Sequence, residues 1–227
     1  MAQLAQFPND WQTALVLVAH PDDPEYGMSA AVNRWTSEGK RVVYGLATSG
    51  EAGIQGMTPQ ECGPLREDEQ RASAARVGVN EVEFWGFPDS ELFNTPQLRA
   101  KITEAINRIA PDVVLSLFGG PEWAPGFPNQ RDHMEFSAAV RDAYAALPEP
   151  GPHWLFESGP LATHAVAVSR ADIDAAVKAL AEHRVYLEVL DPDTPVGEQA
   201  FDQVQRTTPV RDDFGGRRAV VFELISD

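Results

Sequence analysis

The residues with the clearest chemical potential lie in the segment AHPDDPE at positions 19–25. His20 and Asp23 are three positions apart, so a tight turn stiffened by prolines can aim both side chains at one point while Asp22 points elsewhere. Adjacent carboxylates repel each other, and a divalent cation is the simplest compensation. The segment therefore indicates a metal site beside a free carboxylate. A loop whose carboxylates only cap the following helix remains the alternative.

A second candidate cluster is Asp132-His133, which follows a loop rich in glycine and proline. His133 can add a third ligand to His20 and Asp23. Three protein ligands and one open position are typical of a catalytic zinc site, whereas structural zinc sites are closed by four ligands. Two histidines and an aspartate also suit Fe(II) or Co(II), so the residue types alone leave the metal open.

The segments around these clusters alternate between strand-like and helix-like patterns. Apolar runs at 14–19 and 113–118 are typical of strands buried on both faces. The predicted strands are 14–19, 41–47, 81–87, 113–118, 154–157, 165–169 and 218–225, and the predicted helices are 28–37, 65–77, 97–109, 132–147 and 171–190. This order predicts an α/β fold, a Rossmann-like three-layer domain with a mostly parallel sheet, formed by residues 1–227 as a single domain. Both clusters follow predicted strands, and ligands of such folds gather at the carboxyl ends of the strands.

Composition excludes several classes of function. The chain of 227 residues has 34 acidic and 18 basic residues and a formal net charge of −16. This charge argues against nucleic acid and anionic membrane surfaces as partners. Cys62 is the single cysteine, the N-terminus lacks a signal-peptide pattern, and the longest apolar run is too short for a membrane span. We therefore predict a cytoplasmic protein.

The AHPDDPE segment resembles the AHPDDxE motif of the LmbE-like, or PIG-L, family of zinc-dependent de-N-acetylases. Weaker similarities follow in the same order along residues 13–186. They are a TSGE loop at 48–51, an R-x-x-E helix at 66–69, an F-P-D turn at 87–89 and a K-x-x-A-L-x-x-H-like helix at 178–184. The resemblance implies the LmbE-like fold and hydrolysis of an amide on an N-acetylated sugar conjugate or related metabolite.

Site residues carry over from this resemblance position by position. His20, Asp23 and His133 match the ligands of one Zn²⁺ per chain, and Asp22 matches the general base. Arg66, Asp89 and Glu51 match positions that contact the sugar conjugate, with Glu51 the least securely aligned. The resemblance also allows a homo-oligomer.

The chain departs from the family pattern at Gln130, where the family usually has a histidine that stabilises the oxyanion. The amide of Gln130 can donate a hydrogen bond but supplies neither a proton nor a positive charge. Loss of one oxyanion donor costs roughly 2.7–4 kcal/mol, so partial replacement should cost less. The alternative function is therefore a catalytically weakened, metal- or metabolite-binding accessory protein of the same fold.

Three further interpretations can be weighed from the residues. A nucleotide-binding dehydrogenase is disfavoured because no G-x-G-x-x-G follows the first strand. Glu25 is expected to charge the start of the next helix. His183 lies on an apolar helical stripe, which favours a place in the core, or behind the metal ligands, over a place among them.

Overall fold

The computed structural model describes residues 3–148 and 151–226. In these residues the strands are β1 (Ala5–Gln6), β2 (Thr13–Val18), β3 (Arg41–Leu46), β4 (Glu81–Phe84), β5 (Val113–Leu117), β6 (Glu122–Ala124), β7 (Phe127–Pro128), β8 (Trp154–Ser158), β9 (His164–Ala167), β10 (Val210–Arg211) and β11 (Arg217–Ser226). The helices are α1 (Asp23–Gly27), α2 (Ser29–Ser37), α3 (Pro59–Arg76), α4 (Pro96–Ile109), α5 (Arg131–Ala145), α6 (Arg170–Leu180), α7 (Arg184–Leu190) and α8 (Val196–Thr207), with a 3₁₀ turn at Asp212–Phe214.

The main sheet has the strand order β1-β9-β11-β8-β5-β2-β3-β4, with β10 paired to β11. Strands β8, β5, β2, β3 and β4 are mutually parallel, and β11 is antiparallel to both of its neighbours. Strands β6 and β7 form a separate hairpin. The predicted α/β fold with a mostly parallel sheet is confirmed.

The central strands are apolar along their whole length because both faces of the sheet are covered. Every residue of β5 is buried, as are Ala14 to Val18 of β2. One large hydrophobic cluster includes side chains from Phe7 to Phe222. Among the described residues, no helix combines the length and the hydropathy required to cross a bilayer.

Two predicted helices were wrong in extent, and one short helix was not predicted. The predicted helix 28–37 agrees with α2 to within one residue, but α1 precedes it and begins at Asp23. Helix α3 begins at Pro59, ahead of the predicted 65. Pro64 would normally argue against a helix there, but Glu61 accepts a hydrogen bond from the Thr58 backbone N–H at 3.2 Å and so fixes the earlier start.

The predicted helix 171–190 is broken between α6 and α7, around the buried His183. Helix α8 was not predicted, since only Ala200 and Val204 of its residues are buried and its apolar stripe is narrow. These differences matter for the site, because α7 and α8 both contribute to its wall.

A buried ion pair joins β8 to α5, the helix that carries His133. Glu157 is 1% exposed. Its carboxylate accepts hydrogen bonds from Arg141 Nε and Nη2 at 2.6 and 2.7 Å and from Ser137 Oγ at 2.6 Å. Charge-assisted, two-pronged bonds of this kind hold two elements in one register.

We expect Glu157→Gln to lower the free energy of unfolding by about 1.5–3 kcal/mol, because the amide replaces charge-assisted bonds in a buried setting. The matched control is Glu188→Gln, which removes the charge of an exposed carboxylate paired with Arg184 and should cost below about 0.5 kcal/mol. Urea unfolding of both variants measures the difference. Equal losses would show that the buried pair does not hold β8 against α5.

Candidate metal and hydrolase site

The turn after β2 is built around the carboxylate of Asp23. Its Oδ2 accepts hydrogen bonds from the backbone N–H groups of Ala19 and His20 at 3.1 and 2.8 Å. Asp22, between them, has a φ of 87°, in the left-handed region that L-residues rarely adopt. With Oδ2 held by the backbone, Asp23 presents Oδ1 to the neighbouring His133 at 3.1 Å from Nε2.

His133 is held so that one ring nitrogen is free. Its Nδ1 lies 3.1 Å from Asn129 Oδ1, and that amide is oriented because Asn129 Nδ2 donates to the carbonyls of Phe118 and Gly120 at 2.8 Å each. The oxygen also accepts the Gln130 N–H, so the His133 proton resides on Nδ1. Its Nε2 then carries a lone pair; it is buried, lies 3.1 Å from Asp23 Oδ1 and forms no well-aligned hydrogen bond among the described residues.

His20 lies among three carboxylates. Its Nε2 is 3.1 Å from Asp89 Oδ1 and 3.3 Å from Asp132 Oδ2, and its Nδ1 is 3.7 Å from Asp23 Oδ2. Burial by itself lowers the pKa of His20, but the hydrogen bonds to Asp132 and Asp89 and the charge of Asp23 outweigh it and raise the pKa to about 10. The local charge favours a cation at this point.

Ligand atoms of His20, Asp23 and His133 all lie within 4.8 Å of one another, and those of His20, Asp89 and Asp132 form a second set of the same kind. The first set fits a metal better, because His133 Nε2 and Asp23 Oδ1 lie 3.1 Å apart and Nε2 forms no well-aligned hydrogen bond in the described part of the chain. In the second set Asp89 Oδ2 binds the Ala52 N–H, and Asp132 binds those of Ser90 and Leu92. The structure thus brings together the three predicted ligands in an arrangement that suits a divalent cation.

Asp22 is buried beside these ligands and points its carboxylate to Arg66, with Oδ1 3.3 Å from Nη2. Burial raises the pKa of Asp22 to about 6 even though the charge of Arg66 opposes the shift. Its backbone N–H donates to Gln70 Oε1 at 2.7 Å, which holds the left-handed conformation. A carboxylate in this setting is held firmly and has a proton affinity suited to acid–base work.

A buried polar row behind Asp22 was not predicted as a unit. Gln70 Nε2 donates to the Glu25 carboxylate at 3.2–3.3 Å, and His183 Nε2 lies 3.3 Å from Glu25 Oε2. Glu25 therefore faces α3 and His183 instead of only charging the start of its helix. His183 lies behind the predicted ligands, in the core, as its apolar stripe indicated. No local pattern marks Gln70, which acts across 48 positions of sequence.

The three residues matched to sugar contacts have other partners here. Arg66 is 3% exposed; Nη2 donates to the Pro21 carbonyl at 2.7 Å and Nη1 to the Gly50 carbonyl at 3.1 Å, so it mainly braces the turn. Asp89 lines the cavity but faces His20. Glu51 does not line the cavity; its Oε1 accepts the Asp89 N–H at 2.9 Å and so positions the loop that carries Asp89.

The three predicted ligands line one cavity together with Asp22, Arg66 and Asp89. Its volume of about 620 Å³ suits a small ligand. Gln130, at the start of α5, lies on its wall together with Trp123 from the hairpin. The lining also includes Tyr26 and Tyr186, and the Tyr186 ring stacks on the Arg66 guanidinium at 4.4 Å. The geometry therefore offers a metal-binding corner, a buried carboxylate and a polar and aromatic chamber for a ligand.

Known proteins resemble this chain in sequence and in fold. It is 32% identical over 145 residues to a diacetylchitobiose deacetylase of Thermococcus kodakarensis, covering 62% of this chain and 52% of that protein. It is 28% identical over 142 residues to a probable N-acetyl-α-D-glucosaminyl L-malate deacetylase 2 of Bacillus anthracis, covering 60% of each. The matches thus span about half to three fifths of the length of these curated relatives.

The fold has a close counterpart in the N,N'-diacetylchitobiose deacetylase of Pyrococcus horikoshii, with a TM-score of 0.80 over 95% of this chain and 84% of that one. At 20% identity this likeness shows the shared fold. The sequence profile of the PIG-L family, described as GlcNAc-PI de-N-acetylase, matches residues 15–144, which contain the turn after β2, Arg66, Asp89 and His133. Since this match covers more than half of the chain, the protein belongs to the PIG-L family.

Proposed function

We propose that the protein is a metal-dependent hydrolase that removes an acetyl group from the amide nitrogen of an amino-sugar conjugate. The convergence of His20, Asp23, His133 and Asp22 on one cavity carries this proposal. Both sequence relatives are named as deacetylases, which supports the same reaction.

We propose zinc as the metal, one ion per chain, held by His20, Asp23 and His133. Two imidazoles and one carboxylate form a three-ligand set that leaves room for substrate, while Fe(II) and Co(II) stay as alternatives. When bound there, the ion would polarise the acyl carbonyl and lower the pKa of a water molecule.

The protein's own groups then account for the proton transfers. Asp22 accepts a proton from the attacking water while the oxygen of that water bonds to the acyl carbon. Asp22 then returns the proton to the amide nitrogen as the C–N bond breaks. The products are acetate and a free amine. Arg66 and Gln70 keep Asp22 in place, and the Gln130 amide, on the cavity wall, donates a hydrogen bond to the acyl oxygen.

The alternative of a weakened accessory protein rests on Gln130 alone, and the deacetylase names of the relatives do not favour it.

We further propose that residues 1–227 act as one domain, since a single large hydrophobic cluster includes side chains from Phe7 to Phe222. The cytoplasmic location and the homo-oligomer stay predictions.

We expect one zinc ion per chain in the purified wild type, and a loss of stoichiometric zinc in His20→Ala, Asp23→Ala and His133→Ala, because each removes one of three ligands. Elemental analysis of protein purified without added metal measures this. His153→Ala removes an exposed histidine outside the cavity and serves as the control. Tightly bound zinc in His133→Ala would contradict the proposed ligand set.

We expect Asp22→Asn to retain zinc and to lose about 10²-fold or more in the rate of acetate release, the usual scale for a positioned base. Asparagine keeps the size and tolerates the left-handed φ of 87°, so the backbone should stay in place. Acetate release at matched zinc occupancy is the measurement. Unchanged activity would reduce Asp22 to a brace for its neighbours.

We expect Gln130→His to change the rate of acetate release by less than about tenfold, which corresponds to roughly 1.4 kcal/mol of barrier. The reason is that the native amide already donates from this wall and the other site groups are intact. The assay uses a panel of N-acetylated sugars at matched zinc occupancy. A large gain over an undetectable native rate would favour the accessory-protein alternative.

A further inference from the structure

The cavity extends well beyond the metal-binding corner. Its far wall is formed by the end of α7, the end of α8 and the β10 region, through Leu190, Arg206, Thr207, Pro209 and Arg211. These positions follow residue 144 and so lie outside the part of the chain that matches the family profile. Two of them are arginines, although the chain as a whole has a net charge of −16.

Arg206 is anchored to the helix that carries Asp23. Gln203 Nε2 donates to the backbone carbonyl of Tyr26 in α1 at 2.8 Å, which fixes the orientation of its amide. The amide oxygen, Oε1, then accepts a hydrogen bond from Arg206 Nη2 at 2.7 Å. The guanidinium is therefore held beside α1 by two successive hydrogen bonds.

The charge of Arg206 is not neutralised by this anchor. Its acceptor is a neutral amide, and no carboxylate of the described residues forms an ion pair with it. By contrast, Arg211 binds both oxygens of Asp213 at 2.9 and 2.7 Å, and Arg66 is paired with Asp22. Arg206 is thus the cavity arginine with an uncompensated positive charge in the described part of the chain.

The lining of the cavity consequently carries charges of both signs. Asp22, Asp23 and Asp89 lie at the metal-binding corner, and Arg206 lies on the far wall. Tyr26 lies between them: burial and the charge of Asp22 raise the pKa of its hydroxyl, while the charge of Arg206 lowers it. A ligand bound with its acyl group at the metal corner would extend past Tyr26 toward a cation.

We propose that Arg206 binds an anionic group, a carboxylate or a phosphate, on the part of the substrate remote from the acetamido group. This inference rests on the proposed deacetylase function and narrows it to amino-sugar conjugates with a negatively charged aglycone. A guanidinium suits both anions because its fork of N–H donors matches their oxygen pairs.

The test compares acetate release from three N-acetylglucosamine derivatives: one with a carboxylate aglycone, one with a phosphate aglycone, and neutral diacetylchitobiose. We expect the wild type to prefer at least one anionic conjugate by about tenfold or more in kcat/KM. Arg206→Gln should lower kcat/KM for the preferred anionic conjugate about 5- to 20-fold, a modest factor because Arg206 is exposed. The change should occur in KM, because the contact forms equally in the ground state and the transition state. The same variant should lower kcat/KM for diacetylchitobiose by a clearly smaller factor, because that substrate has no anionic group.

The matched control is Arg217→Gln. Arg217 is exposed, lies outside this cavity and forms no ion pair with the residues that the structure describes. If Arg206→Gln and Arg217→Gln show the same KM for the anionic conjugates, the proposal is overturned. The anion whose KM responds more strongly identifies carboxylate or phosphate as the source.

Calorimetric titration separates this inference from the deacetylase proposal. Both arginine variants are made in the Asp22→Asn background and titrated with the anionic conjugates. If the wild type releases acetate from none of the substrates, the deacetylase proposal fails, but weaker binding to the Arg206 variant than to the Arg217 variant would still support the anion site. Equal binding to the two variants would overturn it.

Discussion

The rest of the site depends on one electrostatic constraint, the burial of several carboxylates around His20. The side chains of Asp22, Asp23, Asp89 and Asp132 are each only 5–10% exposed. Removing an ionised carboxylate from water costs several kcal/mol unless it is paired. The backbone meets part of this cost, because Asp23, Asp89 and Asp132 each accept hydrogen bonds from main-chain N–H groups. The negative charge that remains is what a divalent cation would offset.

The same constraint explains why the turn is braced so heavily. A non-glycine residue in the left-handed region costs about 1–3 kcal/mol and persists only where its surroundings hold it. Asp22 is held at both ends, by Gln70 at its amide and by Arg66 at its carboxylate. Glu25 in turn orients the Gln70 amide. The Asp22 carboxylate is therefore in place before any ligand binds, so little conformational entropy is lost in ordering it during the reaction.

The sequence pattern predicted the part of the site that lies in one short segment, the turn with His20 and Asp23. A buried strand followed by His20 and Asp23 at a spacing of three was enough to predict their convergence, whereas the role of His133 needed the family resemblance to be specific. Asn129 and Gln70 could not be predicted, because hydrogen bonds across the fold select them and no periodicity does. The assignment of Arg66 to substrate came from the family resemblance and stays a prediction, since Arg66 lines the cavity. Its bracing of the turn, under Tyr186, is a tertiary property that local pattern does not show. Helix α8 was missed for a related reason: its narrow apolar stripe reflects packing on one side only.

In the proposed function, the groups for chemistry and those for recognition come from different parts of the chain. The metal-binding corner and Asp22 lie within residues 15–144, which match the family profile, while the far wall of the cavity comes from residues 190–211. The two parts meet where Gln203 binds the Tyr26 carbonyl. Because α1 carries both Asp23 and Tyr26, this contact ties α8 to the helix that holds a proposed metal ligand. Substitutions on α8 can therefore change what the cavity accepts while the carboxylates and imidazoles at the sheet edge stay in place.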